Sequence, residues 1–223
     1  GGGGGGIIGP QADSRKMLAC LYNLSLFMEA KIMKMAKKLL AVVLTGVMAL
    51  SMLTGCASIA SRQAADELEG MLHSVKGMSK ASVTADDDTL AKDALKDTKD
   101  SDGKAITGFD AKVKANLDVE KNKGKYVWYT TIAAKDAKKA DKAAKIFSAM
   151  TKQGTNQLEL DLTKIANTGV TVNGKTDDEI EPTDNFKLSM KEYTVKETKD
   201  GSLVDVDYIM IVVTCKAQVK VAA

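Results

Sequence analysis

Hydrophobic positions along this chain change period several times, and each change predicts a new element. Ala64, Leu68, Met71, Val75 and Met78 recur in steps of four and three, with Leu72 widening the stripe. That spacing places one apolar face on an amphipathic helix of about five turns, with Ser61 as its expected N-cap. A short second helix is expected over residues 89–95, behind the acidic triplet Asp86, Asp87 and Asp88, whose charge suits a helix N-terminus. The period then drops to two. Val113, Ala115, Leu117 and Val119 alternate with Lys112, Lys114, Asn116 and Asp118, the pattern of a half-buried strand. Residues 126–133 (YVWYTTIA) are β-branched and aromatic, and Asn122, Lys123 and Gly124 lie just before them. Those turn residues between two strand patterns predict an antiparallel hairpin. Trp128 shares a face with Tyr126, Thr130 and Ile132, and core packing is the default reading for such a residue.

Residues 135–152 predict the clearest helix. Ala140, Ala143, Ala144, Phe147 and Met150 are expected to face inward, with Asp136 near the start and Gly154 closing the end. Lys135, Lys138, Lys142 and Lys145, joined by Lys139, are expected to form a ridge on the opposite side. Residues 155–169 fit either period: Leu158, Leu160 and Leu162 alternate like a strand, while Leu158, Leu162 and Ile165 ahead of Gly169 fit a helix. Helix is narrowly preferred because Asn167, Thr168 and Gly169 resemble a C-cap. A short strand at residues 170–172 and the turn Asn173-Gly174 follow, then an acidic loop over residues 175–185.

The C-terminal hairpin completes the pattern. Phe186, Leu188 and Met190 alternate with Lys187, Ser189 and Lys191, and Lys199, Asp200 and Gly201 are strong turn residues. Residues 208–213 (YIMIVV) are apolar on both faces, which predicts a central strand covered on each side, one cover being the helix after Asp136. The fold class is therefore α+β: an antiparallel sheet of about four to five strands packed on one or two helices, preceded by the N-terminal amphipathic helix. Residues 56–110 read as tether, first helix and acidic linker, and residues 111–223 as the α+β domain.

A different pattern stands upstream. Lys34, Lys37 and Lys38 precede an apolar run over residues 39–53, which ends in Leu53-Thr54-Gly55-Cys56. A basic start, a short apolar run and small residues at a cleavage point together form a secretory signal. The run is too short to cross a bilayer, since its residues at about 1.5 Å each span roughly 22 Å against a hydrocarbon core of about 30 Å. Leu53, Thr54, Gly55 and Cys56 resemble the lipobox of bacterial lipoproteins. The resemblance covers residues 33–56. It implies a diacylglycerol thioether on Cys56, cleavage between Gly55 and Cys56 by the lipoprotein processing enzymes, and attachment to the outer side of the cytoplasmic membrane through the acylated Cys56. Two acyl chains make such an anchor stable where one is marginal. Residues 33–55 are then the signal peptide. Residues 1–32, which open with six glycines, are expected to be a non-native extension, with translation starting at Met33 or Met35.

Cleavage before Cys56 changes the charge picture. The whole chain carries +3, but the 168 residues from Cys56 onward hold 26 Lys and Arg against 27 Asp and Glu. A nearly neutral mature chain removes the electrostatic case for a nucleic-acid partner. Cys215 is the one cysteine left besides Cys56, so no disulfide framework is available, and its apolar strand context marks it as a small buried hydrophobe. His73 is the single histidine, which leaves a zinc site or a Ser-His-Asp triad without material. Asp97, Asp100, Asp102 and Gly103 suggest a calcium loop but fail on register: with Gly103 at position six, position one is Thr98 and position twelve is Phe109. Asp205 and Asp207 are the nearest candidates for carboxylate catalysis, and no cofactor motif occurs. The expected function is a non-catalytic binding or interaction module of the envelope with an unknown ligand or protein partner. Trp128 and the lysines Lys135, Lys138, Lys142 and Lys145 are its candidate surface. Rival readings are a carboxylate-based envelope enzyme and an assembly protein pairing through the stripe Leu68, Met71, Val75 and Met78.

Overall fold

The last two long strands set the frame for everything else. In the computed structural model, which describes residues 58–221 (the side chain of Lys139 apart), β7 (Ile180–Lys199) and β8 (Ser202–Val219) form an antiparallel hairpin. The turn between them uses Asp200 and Gly201, at φ 50° and 79°, the two positive angles that a tight two-residue hairpin turn needs. β2 (Lys125–Ala133) pairs antiparallel with the other edge of β8, and β1 (Ser82–Ala85) pairs parallel with β7, giving the order β1-β7-β8-β2. The sheet is mixed, where the sequence pattern predicted an antiparallel one. The α+β class holds.

β8 is central, as its two-sided apolar run requires. Ile209, Ile211, Val213 and Cys215 face one way, under α1 (Ile59–Leu72) and α4 (Lys139–Met150), which contribute Ala64, Leu68, Leu72, Ala143, Ile146 and Met150. Met210 and Val212 face the other way, under α2 (Thr89–Ala94) and α3 (Phe109–Leu117), which contribute Ala91, Ala94, Val113 and Leu117. The break expected near residue 110 does not exist in the packing. α1 and β1 belong to the same core and sheet as the strands after residue 111.

Several local expectations are corrected. α1 is capped by Ser58, whose Oγ accepts the Ser61 backbone N–H at 3.1 Å, and it stops at Leu72. Val75 and Met78 complete the apolar stripe from irregular backbone, buried but no longer helical. Leu68, Val75 and Met78 are buried in this chain's own core, with Met71 half-buried against it. The strand expected around residues 111–119 is α3 instead. Val113 and Leu117, four apart, are both fully buried, while Ala115 between them is exposed. An alternating pattern and a helical one share those two positions, and the Ala, Lys and Leu of this stretch are good helix formers.

Residues 155–169 form no α-helix. β3 (Thr151–Gln153) follows α4 directly and pairs with β4 (Leu158–Leu160), and a single turn of 3-10 helix (Leu162–Lys164) follows. Gly154 belongs to the turn between those strands, where a Cβ would stand 2.6 Å from the Gln157 carbonyl. α4 itself begins at Lys139, and Ala140 and Ala144 are exposed, because Ala143, Ile146 and Met150 make the inward stripe. The acidic segment before residue 185 is not all loop: β5 (Thr171–Val172) and β6 (Lys175–Thr176) pair across Asn173 and Gly174, and β7 already starts at Ile180.

The place beside β2 that the expected hairpin partner would have filled is taken by a loop. Asn167 is buried there, accepting the Val127 N–H at 3.2 Å and donating to the carbonyls of Lys125 and Asn122 at 2.8 and 3.1 Å. The neighbouring Thr168 ties the same loop to the end of α3: its backbone N–H and hydroxyl donate to the Asp118 carboxylate at 3.0 and 2.8 Å. Those two bonds, with Lys123 at 3.4 Å, hold the Asp118 carboxyl below the usual carboxylate range.

A carboxyl whose folded pKa lies below its unfolded value contributes stability above the unfolded value, and that contribution is lost as pH falls through the folded one. Asp118→Asn is therefore expected to lower the urea midpoint at about pH 6 and to narrow the gap between about pH 6 and about pH 3. Urea titrations of both proteins at the two pH values check this; an unchanged gap contradicts it.

Candidate functional site

At the end of the sheet away from the Asp200-Gly201 turn, β7 leaves its regular ladder. The register jumps between Pro182 and Phe186, which pair with Ala217 and Cys215, so β7 carries three intervening residues where β8 carries one. Proline has no N–H for a ladder and fits the margin of such a bulge. The Thr183 carbonyl, lifted out of the ladder, receives the Cys215 thiol at 3.0 Å. The bulge turns Glu181 and Asp184 to the same end of the sheet.

Two adjoining hollows open here, of about 540 and 330 Å³. Leu162, Glu181 and Pro182 line both. The larger adds Lys76, Met78, Leu160 and Asp184, and the smaller adds Tyr126, Ile165, Val170, Asp177, Asp178, Ile180 and Lys220, so carboxylates outnumber lysines four to two. Met78, Leu160, Leu162 and Ile165 give the lining its apolar part, and Leu162, shared by both hollows, is an exposed large hydrophobe, 37% accessible. The rim is acidic. Glu181 accepts from the Gln218 side chain at 3.2 Å, and Glu179 nearby pairs with Lys175 at 2.6 Å.

Two buried groups register the negative field of this rim. Burial pushes the Tyr126 phenol up, and Cys215, Asp177 and Glu181 push it further the same way. Burial also pushes the Cys215 thiol up to about 11, with Asp184 adding to the rise and the hydrogen bonds to Thr183 opposing it. An apolar floor under a carboxylate rim is suited to a cation with an apolar body, held by area below and charge at the edge.

The residues singled out from sequence lie elsewhere. Trp128 is fully buried, its Nε1 donating to the Asp161 carbonyl at 3.1 Å and its ring set against Tyr126 and Phe186. It is a core residue and leaves the candidate surface. Lys135 sits in a 3-10 turn (Ala134–Asp136), Lys138 is the N-cap position of α4, and Lys142 and Lys145 lie on the helix. Lys135, Lys138 and Lys142 thus lie around the start of α4, beyond the end of β2, and Lys145 lies midway along the helix. His73 ends α1, its Nε2 2.9 Å from the Ala81 carbonyl. Asp205 and Asp207 are exposed on the projecting hairpin, where Asp207 accepts the Thr194 hydroxyl at 2.5 Å. The Asp100 carboxylate accepts the backbone N–H groups of Asp102 and Lys104, both at 2.9 Å, which makes its loop a closed turn. Among the described residues no group of three or more His, Cys, Asp or Glu is placed to hold a metal ion. Leu53, Thr54, Gly55 and Cys56 lie outside the described residues.

The rim residues Glu181 and Asp184 were not singled out from sequence, where they read as part of an exposed acidic loop. Ile180 and Pro182 among those acids were the available signal: an apolar residue to bury and a proline to mark a strand margin. No protein-family model, curated protein or solved structure matches this chain.

With burial and the acidic rim both opposing its thiolate, Cys215 is expected to resist iodoacetamide at about pH 8 in the native protein and to react readily in denaturant, since the thiolate is the nucleophile. Mass-spectrometric mapping of the modified cysteine checks this; native labelling of Cys215 at the denatured rate contradicts it.

Proposed function

We propose that this chain is a membrane-anchored envelope lipoprotein whose folded part is a binding module rather than an enzyme. The observation that carries the anchor is the run of residues 34–56: lysines, a short apolar stretch, then Leu53-Thr54-Gly55-Cys56. Diacylation of Cys56 and cleavage before it leave the folded part on the extracytoplasmic side of the membrane. Among the described residues no helix is long and apolar enough to cross a membrane. In this reading attachment rests on the acylated Cys56.

The ligand class follows from the acid-rimmed hollows. Leu160, Leu162 and Ile165 take an apolar group, while Glu181, Asp184, Asp177 and Asp178 hold a positive charge. A second reading draws on Glu181 and Asp184, which line the larger hollow together: an envelope hydrolase with one of them in an acid–base role. Turnover of a glycan or peptide substrate, abolished by Glu181→Gln, would favour it.

Metabolic labelling with a fatty-acid analogue is expected to mark the wild type and not Cys56→Ala, with the variant lost from the membrane fraction. Equal labelling of the two contradicts the anchor. For the cleft, a dipeptide amide bearing one aromatic side chain and one guanidinium is the probe. The double variant Glu181→Gln with Asp184→Asn is expected to weaken its binding about two- to tenfold, the range for two exposed charge contacts. Unchanged affinity by calorimetry contradicts the site.

A further inference from the structure

The acylated cysteine would stand almost against the folded body. Cys56 is two residues before Ser58, the N-cap of α1. Two Cα–Cα steps of about 3.8 Å reach at most about 8 Å, so the lipid cannot stray far from the start of that helix. Whatever lies at that end of the domain lies at the bilayer.

The topology fixes what lies there. β2 runs parallel to β7, because both are antiparallel to β8, and β7 runs toward the Asp200-Gly201 turn. β2 therefore finishes on the turn side, with Ala133 opposite Tyr208 and the last six residue pairs of the β7–β8 hairpin projecting beyond it, and α4 starts after this point and runs back. α1 runs the same way. Its C-terminal end leads into Val75, which bridges to Leu158, and then into Met78 at the hollows. β1 enters the sheet next, with Ser82 opposite Asn185 near the start of β7. The helix's 14 residues, at about 1.5 Å each, carry its N-terminus back toward the turn end. α1 and α4 pack against each other, so their N-termini share one end of the molecule.

Two segments of the chain carry opposite charge. Residues 135–145 hold five lysines against Asp136 and Asp141. Lys135, Lys138 and Lys145 are exposed, and none of them, nor Lys142, forms an ion pair among the described residues. At the other end, residues 177–184 hold Asp177, Asp178, Glu179, Glu181 and Asp184, which outnumber the lysines Lys76 and Lys220 lining the hollows.

We infer that the end formed by the N-termini of α1 and α4 lies on anionic phospholipid headgroups, through Lys135, Lys138, Lys142 and Lys145, with the acid-rimmed hollows facing away from the bilayer. This rests on acylation of Cys56. The lysines do not anchor the protein; they orient it. Their long stems reach down while the ammonium groups stay hydrated among phosphates, and the like-charged rim at the far end is repelled. Anionic headgroups are the occupant because the charge is cationic, unpaired among the described residues and carried at and along the helix that packs beside α1.

The test uses the full chain, processed in cells and reconstituted into vesicles, with lysine acetylation rates read by mass spectrometry. In vesicles of about one-third phosphatidylglycerol, Lys135, Lys138, Lys142 and Lys145 are expected to react about threefold or more slowly than in pure phosphatidylcholine, while Lys175 and Lys220 react equally in both. The protection should fade at about 0.5 M salt. Lys142→Glu with Lys145→Glu should abolish the protection of Lys135 and Lys138, with Cys56 still acylated by the mass of its N-terminal peptide. Equal lysine rates in the two vesicles, with Cys56 acylated, overturn the orientation and leave the anchor standing. An unacylated Cys56 overturns both.

Discussion

Six consecutive residues of one strand, Tyr208 to Val213, impose the constraint that the rest of the domain answers. Ile209 and Ile211 project to one side and Met210 and Val212 to the other, and all four are buried. A strand of this kind cannot sit at an edge or face water on either side without becoming a site for aggregation. It needs a neighbour on each flank, supplied by β7 and β2, and a cover on each face. The helices α1 and α4 supply one cover and α2 and α3 the other. At about 25 cal/mol per Å² of apolar surface removed from water, this double coverage is the largest favourable contribution available to a domain with no disulfide among its described residues.

Coverage of both faces also decides where chemistry can appear. The faces of the sheet are consumed by the core, so the ends and the projecting hairpin are what remain. At one end, the bulge in β7 opens a half-apolar cleft beneath carboxylates, with Cys215 occupying the Thr183 carbonyl that the bulge releases. At the other, the chain re-enters its helices through lysine-rich turns. α1 and α4 both run toward the cleft. That common direction is a property of the topology, and it sets the lysines around the start of α4 and the acids of residues 177–184 apart.

The errors of pattern reading share one cause. Val113 and Leu117 satisfy a strand period and a helix period equally well, and which one wins depends on what else competes for the flank of β2. Asn167, whose sequence context suggested a helix C-cap, takes that flank with three hydrogen bonds, and residues 109–117 are left to fold as a helix over Met210 and Val212. Val75 and Met78 continue the stripe of α1 in sequence but reach the core from irregular backbone, because burial demands position and not helicity. The cleft was hidden for a similar reason. Pro182 and the acids around it read as loop, and only the register between β7 and β8 shows that they line a bulged strand end.

Local pattern was sufficient for the elements whose stabilising contacts are near in sequence or insensitive to partner choice. These include the hairpin across Asp200 and Gly201, the two-sided central strand, and the existence of α1, α2 and α4. Partner choice could not be read this way: β1 in parallel with β7, β2 on β8 in place of a hairpin with residues 111–119, and the helix directions that set cleft and lysines at opposite ends. Those outcomes depend on contacts between residues far apart in the chain, in which one flank or one face has several suitors of nearly equal local merit. The choice among them is made by packing the whole.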